Sequence, residues 1–315
     1  MCTHRQGLVC RGQIRHAQKW SFVSSISLRP DQPFDLDLTL SCGQVFRWER
    51  DTRGVWSGVV GDSLIRICQQ GQSLTFEGAD RKFIQTYFQL EEDLPGILAS
   101  IDRDPLVHSA ICRCRGLRIV RQPGWECLAS YIIATFANIP GIKRRISHLC
   151  RCFGNPFSGS GGERYTFPSP ETIAFREPCR IAECRLGYRA PYLKETARLL
   201  AGDPGWEERL RELPYDAARR DLLRLKGVGK KVADCVLLFA FGKYEAFPVD
   251  VWIQRILATR YPGGESLRTY DQCSRFGRSH FGEYAGYAQE YLFCDRAILA
   301  GEDRGDQVPV SQPER

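Results

Sequence analysis

Residues 222–234 read Leu222-Leu223-Arg224-Leu225-Lys226-Gly227-Val228-Gly229-Lys230-Lys231-Val232-Ala233-Asp234, a run that holds one helix end, a turn and one helix start. The leucine pattern stops near Leu225. Gly227 and Gly229 supply a turn that a residue with a Cβ resists. Val232, Cys235, Val236 and Phe239 then recur at helical spacing, so a second helix opens directly after the turn. Two helices joined by so short a glycine turn can point backbone N–H groups outward at a helix N-terminus, an arrangement suited to one phosphate. A plain corner between helices, with glycines for tightness, accounts equally well for Gly227, Val228 and Gly229.

Lys231 stands at the start of that second helix. The positive end of the helix dipole and the neighbouring Lys230 both disfavour an ammonium there. A lysine ordinarily titrates near 10.4 and is a poor nucleophile when protonated, so a lowered pKa frees an amine for Schiff-base chemistry. A lysine pair that grips phosphate is the simpler alternative. Asp250 follows in Phe247-Pro248-Val249-Asp250-Val251-Trp252. Pro248 stops the preceding segment, and Asp250 is placed to cap the next helix. A second turn could return this carboxylate to Lys231, where it could take a proton or stabilise positive charge. A cap and nothing more is equally compatible.

Outward from the hairpin, the chain divides into a β-rich and a helical part. Residues 1–20 carry Arg5, Arg11, Arg15 and Lys19 without an acid and are expected to be a flexible basic arm. Phe34, Leu36, Leu38 and Leu40 alternate with Asp35, Asp37 and Thr39, which predicts a strand. Short apolar runs from Phe46 to Phe76, punctuated by Gly54, Gly61 and Gly71, complete a small antiparallel sheet. From Phe83 the period turns helical, with helices expected over 94–111, 123–136, 141–152, 170–183, 189–201, 206–211, 215–224, 231–241, 248–260, 267–278 and 284–299. The glycine and serine run between Phe157 and Tyr165 predicts a flexible loop, and 302–315 a disordered tail. The expected class is α+β, with an N-terminal antiparallel sheet domain followed by an all-helical domain.

Composition sets the outer limits. The chain has 315 residues, 43% of them hydrophobic, which supports a packed core. No apolar run is long enough to span a membrane, and no secretory leader is evident. The net charge of +7 permits a polyanion partner without demanding one. Fourteen scattered cysteines in a chain without a leader point to reduced thiols in an intracellular protein. That means cytoplasm or nucleoid in a prokaryote and nucleus in a eukaryote. Cys112/Cys114 and Cys150/Cys152 lack the spacing usual for zinc, and only Cys273 and Cys294 lie near the end, so no metal or iron–sulfur site is expected.

Taken together, the Gly-Val-Gly turn, the lysine and Pro-Val-Asp resemble the helix-hairpin-helix DNA glycosylase superfamily. Residues 34–299 look closest to the 8-oxoguanine DNA glycosylases. Ser41-Cys42-Gly43-Gln44-Val45-Phe46-Arg47-Trp48, Leu186-Gly187-Tyr188-Arg189-Ala190, and Tyr284-Ala285-Gly286-Tyr287-Ala288-Gln289 followed by Phe293 are each similar to a family segment. The resemblance implies domains over 21–118 (sheet-containing) and 119–301 (catalytic). It implies catalytic roles for Lys231 and Asp250, with DNA contacts at Gly227, Val228, Gly229 and Lys230. It implies a base pocket in which Gly43 lends a carbonyl to the N7–H of the lesion. Phe293 and Cys235 sandwich the base there, and Gln289 reads its Watson–Crick edge. Tyr188 becomes the wedge in the base stack and Arg189 a contact to the orphaned cytosine, while Asn138 and Trp252 lie at the DNA surface. A flipped base must be held by this kind of stacking and edge bonding. Phe136 and Gly141 stand where the best-known branch has an asparagine and an arginine that read the opposite cytosine. Trp252 replaces a histidine.

The implied function is base-excision repair. A monomer binds duplex DNA containing oxidised guanine, excises the base, and nicks the strand by β-elimination through a lysine Schiff base, without cofactor or metal. Two other functions share some of these residues: a glycosylase for an alkylated purine, and a non-catalytic DNA-binding module. The first does not call for Lys231, and the second needs neither Lys231 nor Asp250.

Overall fold

A computed structural model describes residues 24–157 and 163–296 of the protein, so the expectations for residues 1–20, for 302–315 and for the tip of the glycine loop lie outside the described residues. The β-rich region forms one antiparallel five-stranded sheet. Its strands β1 (Ser24–Ser27), β2 (Trp48–Arg50), β3 (Trp56–Val60), β4 (Ser63–Gln70) and β5 (Ser73–Glu77) run in the order β1-β5-β4-β3-β2. Alternation turns Ile65, Ile67, Leu74 and Phe76 to one face, where they are completely buried. Gly58 sits opposite Trp48 in the ladder, and a Cβ there would lie 2.3 Å from the indole, so the missing side chain admits the ring. Trp48 then donates its Nε1 hydrogen to Tyr87 Oη at 2.9 Å, tying the sheet to α2 (Arg81–Tyr87).

The strand expected from Phe34 to Leu40 is a helix instead, α1 (Leu36–Ser41). A run this short fits both periods, and two contacts settle the matter. The Asp35 carboxylate accepts from Leu38 N at 2.8 Å, capping the helix, and Leu36, Thr39 and Leu40 are the buried set, which is helical spacing.

The remainder is helical: α3 (Leu94–Ile101), α4 (Pro105–Arg113), α5 (Gly124–Ala134), α6 (Ile139–Phe153), α7 (Pro170–Ala174), α8 (Pro178–Ala182), α9 (Arg189–Ala201), α10 (Trp206–Glu212), α11 (Tyr215–Leu223), α12 (Lys230–Phe239), α13 (Val251–Arg260), α14 (Tyr270–Phe281) and α15 (Ala285–Cys294). Two expected helices are split by proline. Asp104 caps a new helix that begins with Pro105, and Pro178 separates α8 from α7. The glycine loop is flanked by a two-residue ladder, β6 (Pro156–Phe157) with β7 (Arg164–Tyr165).

Two helices organise the site. α5 is buried on nearly every side and packs against α6, α9 and α12, as a helix apolar all round must. α15 packs against α3, α4, α13 and α14, so it spans helices from both halves of the chain. Between sheet and helices, the amide of buried Gln44 donates to the Thr39 and Arg118 carbonyls and accepts from Val120 N, each at 2.9 Å. Gln122 Nε2 donates back to the Gln44 carbonyl at 2.7 Å. This closed network fixes the Cys42–Phe46 turn against the helical core. Among the described residues, no helix is long and apolar enough to cross a membrane.

Candidate active site

The hairpin is α11, a turn, and α12. Gly227 has φ +77°, and a Cβ there would lie 2.7 Å from Tyr192 Cβ, so glycine is required by backbone and neighbour alike. Thr196 Oγ1 donates to the Lys226 carbonyl at 2.9 Å, and Val228 is buried, anchoring the turn on α9 and the core. Gly229 caps α12 with extended backbone and no side chain, and nothing lies within 4 Å of where its Cβ would be. The first N–H groups of α12 therefore open outward without a side-chain cap.

The adjacent lysines differ. Lys230 is paired with Asp271 at 2.5 Å. Lys231 is exposed and, among the described residues, enters no hydrogen bond or ion pair. Below them, completely buried Asp234 accepts from Tyr215 Oη at 2.8 Å, Arg219 Nε at 2.7 Å and Tyr270 Oη at 2.5 Å. Burial raises this carboxyl's pKa against the pull of Arg219 and the two phenols. The network bolts α12 to α11 and α14.

Asp250 does cap α13. Its Oδ1 accepts from Trp252 N at 3.0 Å and Ile253 N at 2.8 Å, leaving Oδ2 outside the cap. Asp250 and Lys231 also act on one common group. Burial pushes the Cys235 thiol up, Lys231 draws it down, and Asp234, Glu290 and Asp250 push it further up. Cys235 lies one turn from Lys231 on α12 and is buried. The thiol thus lies within charge–charge reach of both the amine and the carboxylate.

α15 supplies the facing wall. A Cβ on Gly43, which has φ +107°, would lie 3.4 Å from Phe293 Cε1 and 3.3 Å from Ile139 Cδ1. The Arg296 guanidinium lies 4.5 Å from the centre of the same Phe293 ring. Gln289 is 4% exposed, yet its Oε1 has no hydrogen-bond partner among the described residues. Burial pushes the neighbouring Glu290 carboxyl up to about 8, with the Cys294 and Asp250 charges adding and the Cys42 thiol opposing. Its Oε2 is likewise unpartnered. Two orphaned polar atoms in adjacent buried residues mark a polar spot in an otherwise apolar wall.

The remaining candidates form a second group around the turn after α5. Tyr188 is 49% exposed and its Oη donates to the Thr135 carbonyl at 3.2 Å. Arg189, expected at the orphaned base, is 5% exposed, and its guanidinium donates to the Thr135, Phe136 and Leu186 carbonyls. In this structure the guanidinium is therefore turned toward backbone carbonyls. Asn138 caps α6 through a 2.9 Å bond from Gly141 N, and half-buried Trp252 lies beneath Arg255. Ile139, which touches Gly43, joins this group to the pocket wall. A cleft of about 310 Å³ lined by Glu92, Tyr244 and Tyr284 lies elsewhere and contains none of these residues.

Gln44, Glu290 and Arg296 escaped assignment from the sequence. Glu290 had a signal: a carboxylate inside a helix whose other residues read as core.

Residues 26–128 match the family described as 8-oxoguanine DNA glycosylase, N-terminal domain. A probable N-glycosylase/DNA lyase of Methanothermobacter thermautotrophicus is 36% identical over 235 residues, spanning 68% of this chain and 73% of the relative. An N-glycosylase/DNA lyase of Saccharomyces cerevisiae is 28% identical over 304 residues, spanning 81% of each. The Clostridium acetobutylicum 8-oxoguanine glycosylase/lyase, solved with double-stranded DNA containing cytosine opposite 8-oxoguanine, superposes with a TM-score of 0.80 at 30% identity. That match covers 85% of this chain and 93% of the other.

Proposed function

Since the chain belongs to the 8-oxoguanine DNA glycosylase family, and is by that membership a bifunctional DNA glycosylase and AP lyase, we propose that its substrate is 8-oxoguanine in duplex DNA and its nucleophile Lys231. The observation that carries this reading is an exposed lysine, unpaired among the described residues, at the open start of α12, one turn from buried Cys235, together with the buried Gln289 Oε1 that has no donor.

The open N–H groups at Gly229 and the first turn of α12 take a phosphate, with the helix dipole favouring the anion. The lesion swings into the space beside Phe293. 8-Oxoguanine differs from guanine in carrying a hydrogen on N7, so an acceptor at that edge discriminates between them. Gly43 has no side chain to block approach to its own carbonyl, and a carbonyl there accepts N7–H. The unpaired Gln289 Oε1 accepts from the Watson–Crick edge, which relieves a buried orphan.

Lys231 Nζ attacks the anomeric carbon as the bond to the base breaks, and the departing base takes the electron pair and a proton. Opening of the sugar ring leaves a Schiff base between Lys231 and the former anomeric carbon. Loss of a proton from the adjacent carbon then expels the 3′ phosphate. Asp250 accepts the amine proton and stabilises positive charge on the sugar. Lys230 is held by Asp271, whereas Lys231 is unencumbered, which supports the choice between them.

Borohydride trapping on a duplex bearing 8-oxoguanine tests the reading. The wild-type protein should form a covalent adduct, Lys231→Gln should form none, and Lys230→Gln should retain it. No adduct in the wild type with any lesion, or an adduct surviving Lys231→Gln, sinks the proposal.

A further inference from the structure

Phe136 is 96% exposed and sits at φ +49°. Scattered exposed apolar residues are ordinary, but a phenylalanine in the left-handed region is not, because its Cβ crowds the backbone. Both features are held in place. The buried Arg189 guanidinium donates to the carbonyls of Thr135 and of Phe136 itself, and Tyr188 Oη donates to Thr135. A backbone kept strained by a buried arginine is over-determined, and strain of this kind gathers at functional positions. The ring is presented to solvent next to Tyr188, on the loop whose far end, Ile139, touches the pocket wall at Gly43.

We propose that Phe136 is a specificity-determining residue that enters the duplex where the everted base has left and stacks on the base opposite, so that excision is nearly indifferent to what that base is. This rests on the base-everting reading given above. Stacking does not distinguish bases, because every base has a π-face, and a phenyl ring carries no hydrogen-bonding group to tell them apart. Arg189 does not restore a reader, because it is buried and donates to the Thr135, Phe136 and Leu186 carbonyls. Arg145 reaches over Gly141 to 3.4 Å from where a Cβ would be, and its Nη1 has no partner among the described residues, so Arg145→Ala serves as the control: it should leave the four rates in the same ratio. Arg189 is on this account a positioning residue that fixes the loop.

The test is single-turnover excision of 8-oxoguanine placed opposite each of the four bases, together with the fluorescence of 2-aminopurine opposite a stable abasic analogue. Wild-type rates should agree within about fivefold, whereas a hydrogen-bonding reader separates bases by roughly 5- to 150-fold. Phe136→Ala should slow all four by a similar factor, about tenfold, and should abolish the quenching that the wild-type protein produces on binding. Its melting temperature should not fall, since the side chain contacts solvent. Rates opposite one base more than about fivefold above the others, or Phe136→Ala with wild-type rates and quenching, overturn the proposal. Absence of excision in every pairing overturns the substrate assignment instead. The fluorescence measurement needs only an abasic duplex and still decides whether Phe136 enters the stack.

Discussion

Glu290 shows what burial does to one side chain. Its carboxyl ordinarily titrates near 4.5 and is pushed up to about 8 in the folded protein. Below about 4.5 both folded and unfolded chains hold the proton, and between there and 8 only the folded chain does. The stabilisation is therefore complete below the lower value and is lost as pH rises through the upper one. Glu290→Gln keeps the shape and cannot ionise. It should leave stability at pH 4 unchanged and raise it by up to about 5 kcal/mol at pH 9, read by urea denaturation. Parallel pH profiles for the two proteins would show that Glu290 does not titrate in this range. Lys231 and Lys230 illustrate selection at the same scale: Asp271, far off in sequence, takes one amine and leaves the other without a partner among the described residues.

At the scale of elements, α13 separates structure from chemistry. Asp250 caps it through Oδ1 and is also the proposed proton acceptor. Asparagine caps about as well as aspartate, so Asp250→Asn should keep stability within about 0.5 kcal/mol while lowering the excision rate by about 100-fold or more. Asp250→Ala should lose the rate and also about 1 kcal/mol of stability. If Asp250→Asn excises at the wild-type rate, the residue is a cap alone. The hairpin was legible from residues 222–234 because its turn depends on neighbours in sequence and on glycine conformation. α1 was not, because Leu36, Leu38 and Leu40 fit a strand or a helix, and the buried face and the Asp35 cap chose the helix. The breaks before α4 and α8 carried a local signal, a proline, that apolar periodicity outweighed.

For the molecule as a whole, the turn bearing Gly43 is set against Phe293 because the sheet region is clamped to the helices at Gln44. Its amide satisfies the Thr39 and Arg118 carbonyls and the Val120 N–H, all in buried surroundings. Gln44→Leu would strand these groups at roughly 1–3 kcal/mol each, with partial relief as water enters. A net loss of about 3 kcal/mol is expected in a denaturation curve, together with weaker excision, since Gly43 is the adjoining residue. A loss under about 0.5 kcal/mol would show that the clamp is incidental.

The chain's own order of residues determined the hairpin, the capping aspartate, the lysine at a helix start and the shift from strand to helix period. Each of these follows from backbone preferences and spacings within a few residues. Only the folded structure decided that Lys230 is paired and Lys231 is not, that Arg189 turns inward while Phe136 faces solvent, that Gln289 is left without a donor, and that Glu290 resists ionisation. Those outcomes depend on desolvation and on partners distant along the chain, which no local pattern encodes.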